Sequence, residues 1–156
     1  MITGVGLLLF TQEWNPRMFV VEELNAKPQY RKEKGMVSFP IETHEAADGS
    51  IEGTIQRLIV EEVGIDPSEV VLCGIEPRAF RLIPGREDVE SRYGFGVLRG
   101  SPSRQFQPRD PDIRFVGWRT AEELLVCHVR IETAPIVEHF RIKHLRAFMQ
   151  RISGMV

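Results

Sequence analysis

An uninterrupted apolar segment near the start of the chain, Gly4–Phe10, most restricts what this sequence can fold into. Its seven residues are too few to cross a bilayer, since a membrane-spanning helix takes about 20 apolar residues. No basic stretch precedes it and no small-residue cleavage site follows it, so we expect no signal peptide. We therefore predict that Gly4–Phe10 is a buried first β-strand.

The composition is typical of one globular domain, which we expect to span residues 1–156. Hydrophobic residues make up 42% and charged residues 27% of the chain. The net charge of −2 excludes a nucleic-acid binder that depends on bulk positive charge. Cys73 and Cys127 form no disulfide framework and have no metal-ligand spacing, so we expect buried thiols in a cytoplasmic protein that does not bind membranes.

Further apolar and β-branched runs, separated by turn residues, predict additional strands. These are Phe19–Leu24, Gly35–Phe39, Glu69–Ile75, Ala79–Ile83, Tyr93–Leu98 and Ile113–Trp118. Helical spacing and capping residues predict helices over Ile51–Val63, from Thr120 through Leu125, and over Pro135–Ile152, with an acidic loop at Glu42–Ser50. A mixed sheet with helices available to flank it is an α+β fold, an α/β-like sandwich.

Charge is distributed unevenly along the chain. Residues 41–77 contain nine acidic residues against Arg57 alone, a net of −8, whereas residues 78–119 contain nine arginines against five acids, a net of +4. Carboxylates of the first block are suited to a divalent cation, and guanidinium groups of the second are suited to phosphate. A solvated acidic helix beside unrelated surface arginines is the alternative explanation.

The segment 43–65 resembles the Nudix box, G-x5-E-x7-R-E-U-x-E-E-x-G-U, where U is aliphatic. Six residues match it: Arg57, Ile59, Glu61, Glu62, Gly64 and Ile65. Thr43, Gly49 and Leu58 stand at the other three defined positions, and a one-residue insertion would bring Asp48 onto the first acidic position. Phe39-Pro40 before the box, and Gly117-Trp118 followed by Glu123-Leu124 after it, also resemble the family's pattern.

The resemblance implies the Nudix fold and a Nudix-type hydrolase that cleaves a nucleoside diphosphate linked to another moiety. It implies Mg²⁺ or Mn²⁺ as the cofactor and a small nucleotide or phosphate-containing substrate. The implied catalytic residues are Arg57, Glu61 and Glu62, and the implied metal ligands are Glu61, Glu62 and Asp48. Glu42 or Glu45 are alternative replacements for the missing carboxylate, and arginines between Arg78 and Arg119 would bind the phosphates.

Helix geometry leaves the function open. Residues four apart share a helix face, and the pair that would hold a cation here is Leu58 and Glu62, of which Leu58 has no ligand atom. Glu61 lies one turn after Arg57, so a salt bridge between these two is a structural role for Glu61. Three hypotheses follow: an active hydrolase, a nucleotide-binding or regulatory module that has lost turnover, and an interaction domain unrelated to nucleotides.

The histidines carry little information in the sequence. His44, between Glu42 and Glu45, could ligate a metal or act as a base, although a surface-loop histidine without a role is the favoured explanation. His128, His139 and His144 show no ligand spacing, and we expect His144 to pack at the rim of the last helix.

Overall fold

A computed structural model describes residues 1–155 and shows a mixed sheet between two helical layers. The strands are β1 (Ile2–Phe10), β2 (Met18–Glu23), β3 (Val37–Ser38), β4 (Ile41–Thr43), β5 (Val70–Ile75), β6 (Val89–Leu98) and β7 (Ile113–Arg119). The helices are α1 (Ile51–Leu58), α2 (Ala121–Leu125), α3 (Thr133–Lys143) and α4 (Leu145–Met155). The α+β prediction is therefore confirmed.

The first strand lies inside the sheet and is buried on both faces. It pairs with β6 in parallel from Ile2↔Val89 to Phe10↔Val97. Alternate side chains of a strand point to opposite faces, so Val5, Leu7 and Leu9 pack in one core with α1 while Leu8 and Phe10 pack in a second core with α3 and α4. Because both faces of this strand are buried, its residues Gly4–Phe10 are apolar without interruption.

The sheet divides between β1 and β2. These strands share a single antiparallel pair, Phe10↔Met18, after which β1 pairs with β4 and β2 pairs with β3 and β7. Strand β5 pairs with the far side of β6. The divergence leaves a gap near the end of β2, and the candidate site described below lies there.

The segment Ala79–Ile83 is not a strand, so this prediction was wrong. Only Phe80 bridges to β6, through two backbone hydrogen bonds with Ser91 of 2.8 and 2.7 Å. Pro77 has no N–H to donate, so the ladder between β5 and β6 cannot continue past the end of β5. The predicted acidic loop, Glu42–Ser50, overlaps the end of β4.

The predicted C-terminal helix is two helices that meet at His144. Backbone dihedrals of φ −117° and ψ −23° at His144 end α3, and α4 begins at the next residue. On either side of this break, Phe140 and Phe148 both pack on the ring of Phe10, with ring centroids 5.2 and 4.8 Å from its centroid. Aromatic packing on β1 therefore accompanies the break.

The two cysteines are less buried than predicted. Cys127 is exposed and Cys73 is half-buried, so neither thiol is a fully buried hydrophobic group as predicted. None of the helices within residues 1–155 combines the length and apolar character that crossing a bilayer requires.

Candidate functional site

Helix α1 begins and ends at local signals. Ser50 caps its N-terminus by accepting a hydrogen bond from the Gly53 N–H at 3.0 Å. After Leu58 the helix widens into a π-helical turn, Ile59–Val63, which ends at Gly64 with φ +79°. Single π turns inside α-helices occur frequently at functional sites.

Gly64 allows a distant loop to approach the end of this helix. A Cβ atom at this position would lie 2.1 Å from the Gln107 carbonyl oxygen, and the positive φ already disfavours any other residue. Beside this contact, the N–H groups of Arg109 and Asp110 donate to the carbonyl of Glu61 at 2.8 and 3.1 Å. The loop thus satisfies a carbonyl at the helix end and brings Asp110 to the π turn.

Glu62 lies in a small acidic cavity in the gap between the diverging strands. The cavity has a volume of about 20 Å³, room for a water molecule or an ion. Its lining residues come from β2, β4, the π turn and the segment before β7: Val21, Glu23, Lys27, Lys32, Ile41, Glu62, Asp110, Asp112, Ile113 and Arg130. Four of these are carboxylates, and they come from three parts of the chain: Glu23 from β2, Glu62 from the π turn, and Asp110 and Asp112 from the segment before β7.

The Glu62 side chain is almost fully buried, with 4% of the residue exposed. Burial, followed by the negative charges of Glu42 and Asp110, raises the pKa of Glu62 from its ordinary 4.5 to about 9. Glu62 therefore keeps its proton at neutral pH. Burial also raises the pKa of Glu42, although the nearby Arg57 partly offsets this effect. Buried carboxyl groups with a strongly raised pKa are found preferentially at functional sites.

Basic groups adjoin the carboxylates on one side of the cavity. Lys32 Nζ lies 3.2 Å and Arg130 Nη1 lies 3.0 Å from the same oxygen of Glu23. Arg130 also donates to Glu132 at 2.8 Å. The second oxygen of Glu23 is buried and has no hydrogen-bond partner within residues 1–155, so it is available as an acceptor or ligand.

A second cavity, of about 90 Å³, adjoins the acidic one. The two share Lys27, Lys32, Ile41 and Arg130. Beyond these the second cavity is lined by Ile2, Gly4, Tyr30, Thr43, Ile83, Val89, Ser91 and Glu132. The two adjoining cavities thus place carboxylates at one end, cations between them and a mixed polar and aromatic wall beyond.

Arg57 binds the acidic loop and not Glu61. Its guanidinium donates to both oxygens of Asp48 at 2.9 and 3.0 Å and to the Thr43 carbonyl at 2.5 Å, and lies 3.3 Å from Glu42. The bonds from Arg57, and then the backbone N–H of Glu45, hold the pKa of Asp48 well below its usual range. Arg57 therefore fixes the loop that precedes α1.

We expect Arg57→Lys to lower the melting temperature by a few degrees and to loosen the segment that carries Glu42. A lysine ammonium is a point charge and cannot reproduce the bidentate contact with Asp48. Differential scanning calorimetry at neutral pH measures the effect. Arg146→Lys, at an exposed position on α4, is the matched control and should melt like the wild type. Equal melting of both variants would show that the contacts of Arg57 do not hold the loop.

The structure separates the other predicted site residues. Leu58 is fully buried in the core with Ile55 and Ile59, and Glu61 is half-buried at the helix surface. Glu62 lies in the cavity, whereas Asp48 lies under Arg57 with its oxygens engaged in hydrogen bonds.

His44, in the loop next to β4, belongs to the Asp48 network and not to the cavity. Its Nδ1 atom lies 2.6 Å from Thr54 Oγ1, and Thr54 in turn donates to Asp48 at 2.9 Å. The assignments of Arg57, Glu61 and Glu62 as catalytic residues, and of Glu61, Glu62 and Asp48 as metal ligands, stay predictions.

The arginines predicted to bind phosphate are dispersed. Arg86 pairs with Asp88, Arg114 pairs with Glu22, and none of the nine arginines between Arg78 and Arg119 lines either cavity in the described part of the chain. The cations at the site are instead Lys27, Lys32 and Arg130, which the sequence did not single out. An acidic residue at the end of an apolar strand was the available signal for Glu23, and no spacing indicated Asp110.

The donor set fits the hard divalent cation that the resemblance implies. Mg²⁺ and Mn²⁺ prefer oxygen ligands, and Glu62 and Asp110 line the same cavity, with the charge of Glu42 close enough to act on Glu62. The unpartnered buried oxygen of Glu23 borders the same cavity. A cation there would offset the negative charges of Glu42 and Asp110, which contribute to the raised pKa of Glu62.

Solved structures with the same architecture cover most of the chain. The NUDIX domain of Shewanella oneidensis NrtR complexed with ADP ribose superposes with a TM-score of 0.66 at 15% identity, over 90% of this chain and 86% of that one. A Caenorhabditis elegans Ap4A hydrolase binary complex gives 0.64 at 13% identity over 99% of both chains. A mutT/nudix family protein from Listeria innocua gives 0.61 at 16% identity, over 95% and 96%.

No protein-family profile and no curated protein sequence matches the chain. The fold is therefore assigned from structural similarity, which extends over nearly the whole length of several proteins of low sequence identity. It agrees with the six matched positions of the box and with the placement of Glu62 at the end of the first helix. The chain has the Nudix fold.

Proposed function

We propose that the protein hydrolyses a nucleoside diphosphate linked to another moiety, with Mg²⁺ or Mn²⁺ as cofactor. The observation that carries the proposal is the cavity in which the carboxylates of Glu62 and Asp110 adjoin the cations Lys32 and Arg130. Diphosphate hydrolysis needs both kinds of group, because the cations bind phosphate oxygens and the carboxylates hold a metal ion.

The ligands named for the structural neighbours support this substrate class. One neighbour is complexed with ADP ribose and another is called an Ap4A hydrolase. In both molecules a phosphate chain joins a nucleoside to a second moiety. A site with carboxylates at one end, cations in the middle and a mixed polar and aromatic wall beyond suits such a ligand.

Each side chain has a role that follows from its position. Glu62 and Asp110 would hold the cation, with Glu42 close enough to contribute through its charge. When bound, the metal neutralises charge on the diphosphate and lowers the pKa of the attacking water. Lys32 and Arg130 would bind the phosphates, and the wall of the second cavity would contact the remaining moiety.

The remaining box residues would position this machinery. Arg57 holds the loop that carries Glu42 through its contacts with Asp48 and Thr43. Glu61 uses its carbonyl to fix the segment that presents Asp110. Its half-buried carboxylate remains a candidate ligand or base, as the resemblance implies.

A second candidate function, nucleotide binding without turnover, is favoured by Leu58. Its burial in the core removes one carboxylate from the helix face that holds Glu62. A site with fewer ligands binds its metal more weakly, and the basic part of the site is independent of Leu58. A regulatory module would keep ligand affinity and lose hydrolysis.

A metal-dependent hydrolysis screen over ADP ribose, a dinucleoside tetraphosphate and nucleoside triphosphates tests the proposal, with melting curves of the same mixtures. We expect Mg²⁺-dependent hydrolysis of at least one nucleotide with two linked moieties. Asp110→Asn and Glu62→Gln should each reduce it by at least about 100-fold, since each removes a metal ligand. Asp66→Asn, at an exposed helix cap where asparagine caps equally well, is the control and should retain activity.

The outcomes separate the two candidates. Ligands that raise the melting temperature through binding to the folded state, without hydrolysis, would favour the regulatory module. Hydrolysis that survives both Asp110→Asn and Glu62→Gln would remove the acidic cavity from the reaction. Melting curves unmoved by every nucleotide would favour an interaction domain.

A further inference from the structure

A glutamate and two histidines come together on the other face of the sheet, away from the acidic cavity. Glu76, His139 and His144 each offer a ligand atom, and these three atoms all lie within 4.8 Å of one another. Glu76 is fully buried and the two histidines are half-buried. The helices that carry the histidines pack on the core opposite α1, so this cluster is independent of Glu62.

Long-range packing assembles the Glu76–His139–His144 cluster. Glu76 directly follows β5, where its N–H donates to the Tyr93 carbonyl at 2.9 Å. His139 lies on α3 and His144 at the junction of α3 and α4. Side chains five residues apart on a straight helix point about 140° away from each other. The break at His144 is what allows both rings to approach the same carboxylate.

The two histidine rings of the cluster have ring nitrogens that a metal ion could bind. His144 Nε2 is buried and has no hydrogen-bond partner among the described residues, although it lies 3.4 Å from Glu76 Oε1. His139 Nδ1 hydrogen bonds to the hydroxyl of the buried Tyr93 at 2.7 Å. Metal-binding histidines commonly use one ring nitrogen for such an outer partner, which orients the ring and leaves the other nitrogen for the metal.

We propose that Glu76, His139 and His144 bind a divalent transition-metal ion of the zinc class. Two imidazoles and one carboxylate form a donor set that suits Zn²⁺ and leaves a fourth position open, whereas Mg²⁺ prefers oxygen ligands alone. The Lys143 ammonium now contacts both oxygens of Glu76 and competes with the metal for them. Because the Lys143 side chain is 48% exposed, it can move into solvent when a metal binds.

A metal at this position would connect the end of β5 to the junction of α3 and α4. These elements are otherwise joined by the ion pair of Lys143 with Glu76 and by the hydrogen bond that Arg151 donates to the Cys73 carbonyl at 3.3 Å. Coordination adds a third link, so the C-terminal helices should become more stable in the metal-bound protein.

Zn²⁺ binding to the full chain, measured by competition with a chromogenic chelator in excess Mg²⁺, tests the site. Excess Mg²⁺ keeps the oxygen-lined cavity from contributing to the signal. We expect one equivalent to bind, and Glu76→Gln, His139→Gln and His144→Gln should each weaken binding at least about tenfold. His128→Gln, at an exposed histidine outside the cluster, and Glu62→Gln should bind Zn²⁺ as the wild type does.

Lys143→Met keeps every ligand and tests the site without removing one. Since it removes the competing ammonium, it should bind Zn²⁺ more tightly than the wild type and show a larger Zn²⁺-dependent rise in melting temperature. This result supports the site even where a ligand variant fails to fold. Absence of stoichiometric binding, equal or weaker binding by Lys143→Met, or unchanged binding by His144→Gln would each overturn the proposal.

Discussion

Leu58→Glu is expected to unfold the protein or to lower its melting temperature by about 10 °C or more, with no rescue by Mg²⁺. Leu58 has no exposed surface and packs with Ile55 and Ile59 against the sheet. A glutamate there loses the packing of leucine and buries an unpaired carboxylate, which together cost at least about 4 kcal/mol. For a chain of this size each kcal/mol shifts the melting temperature by about 2–4 °C.

The test is a thermal melt of Leu58→Glu with and without Mg²⁺, next to Leu58→Met. Methionine conserves volume and should cost less than about 1.5 kcal/mol, so it separates the effect of charge from that of shape. The family pattern has a glutamate at this position, and a retained metal cage would give a different result. A Leu58→Glu protein restored by Mg²⁺ to the stability of the wild type would show that the helix face can still turn toward the site.

Glu62→Gln is expected to stabilise the metal-free protein above about pH 7 and to remove most of its loss of stability with rising pH. The folded protein keeps a proton on Glu62 up to about pH 9, whereas the unfolded chain releases it near pH 4.5. Folding therefore takes up a proton in this window, and stability falls as the pH rises through it. The loss approaches about 1.4 kcal/mol per pH unit, or roughly 2–4 kcal/mol between pH 5 and pH 8.

Urea unfolding of wild type and Glu62→Gln at several pH values, without divalent metal, measures this difference. Mg²⁺ should stabilise the wild type increasingly as pH rises toward 9, because binding to the carboxylate releases its proton. Affinity should rise by up to about tenfold per pH unit over that range. Parallel pH profiles for both proteins would show that Glu62 is ionised in the folded state.

Local signals were sufficient for much of the fold. Ser50 and Gly64 bound the first helix where the sequence places them, and the apolar run of β1 is buried as its composition predicts. These features depend on neighbours in the chain: a cap needs one hydroxyl near the helix start, and alternation needs only consecutive residues. The single π turn after Leu58 has no such signature.

The site depended on contacts that sequence patterns do not record. Within the Nudix box the sequence predicted Glu62 as a site residue, whereas the other residues of its cavity come from the loop at Asp110, the end of β2 and the segment around Lys32. Arg57 was predicted one helical turn from Glu61, yet it binds Asp48, because the acidic loop folds back across the start of the helix. Charge totals along the chain indicated phosphate-binding arginines that the fold disperses.

The sequence by itself determined the first strand, the capped helix and the presence of a carboxylate at its end, because each follows from the order of adjacent residues. Only the tertiary structure decided that Leu58 faces the core, that Asp110 meets Glu62, and that His139 and His144 share Glu76. Those outcomes depend on where β1 and β2 separate and where the last helix breaks. Both are set by the packing of distant side chains against one another, which local propensity does not encode.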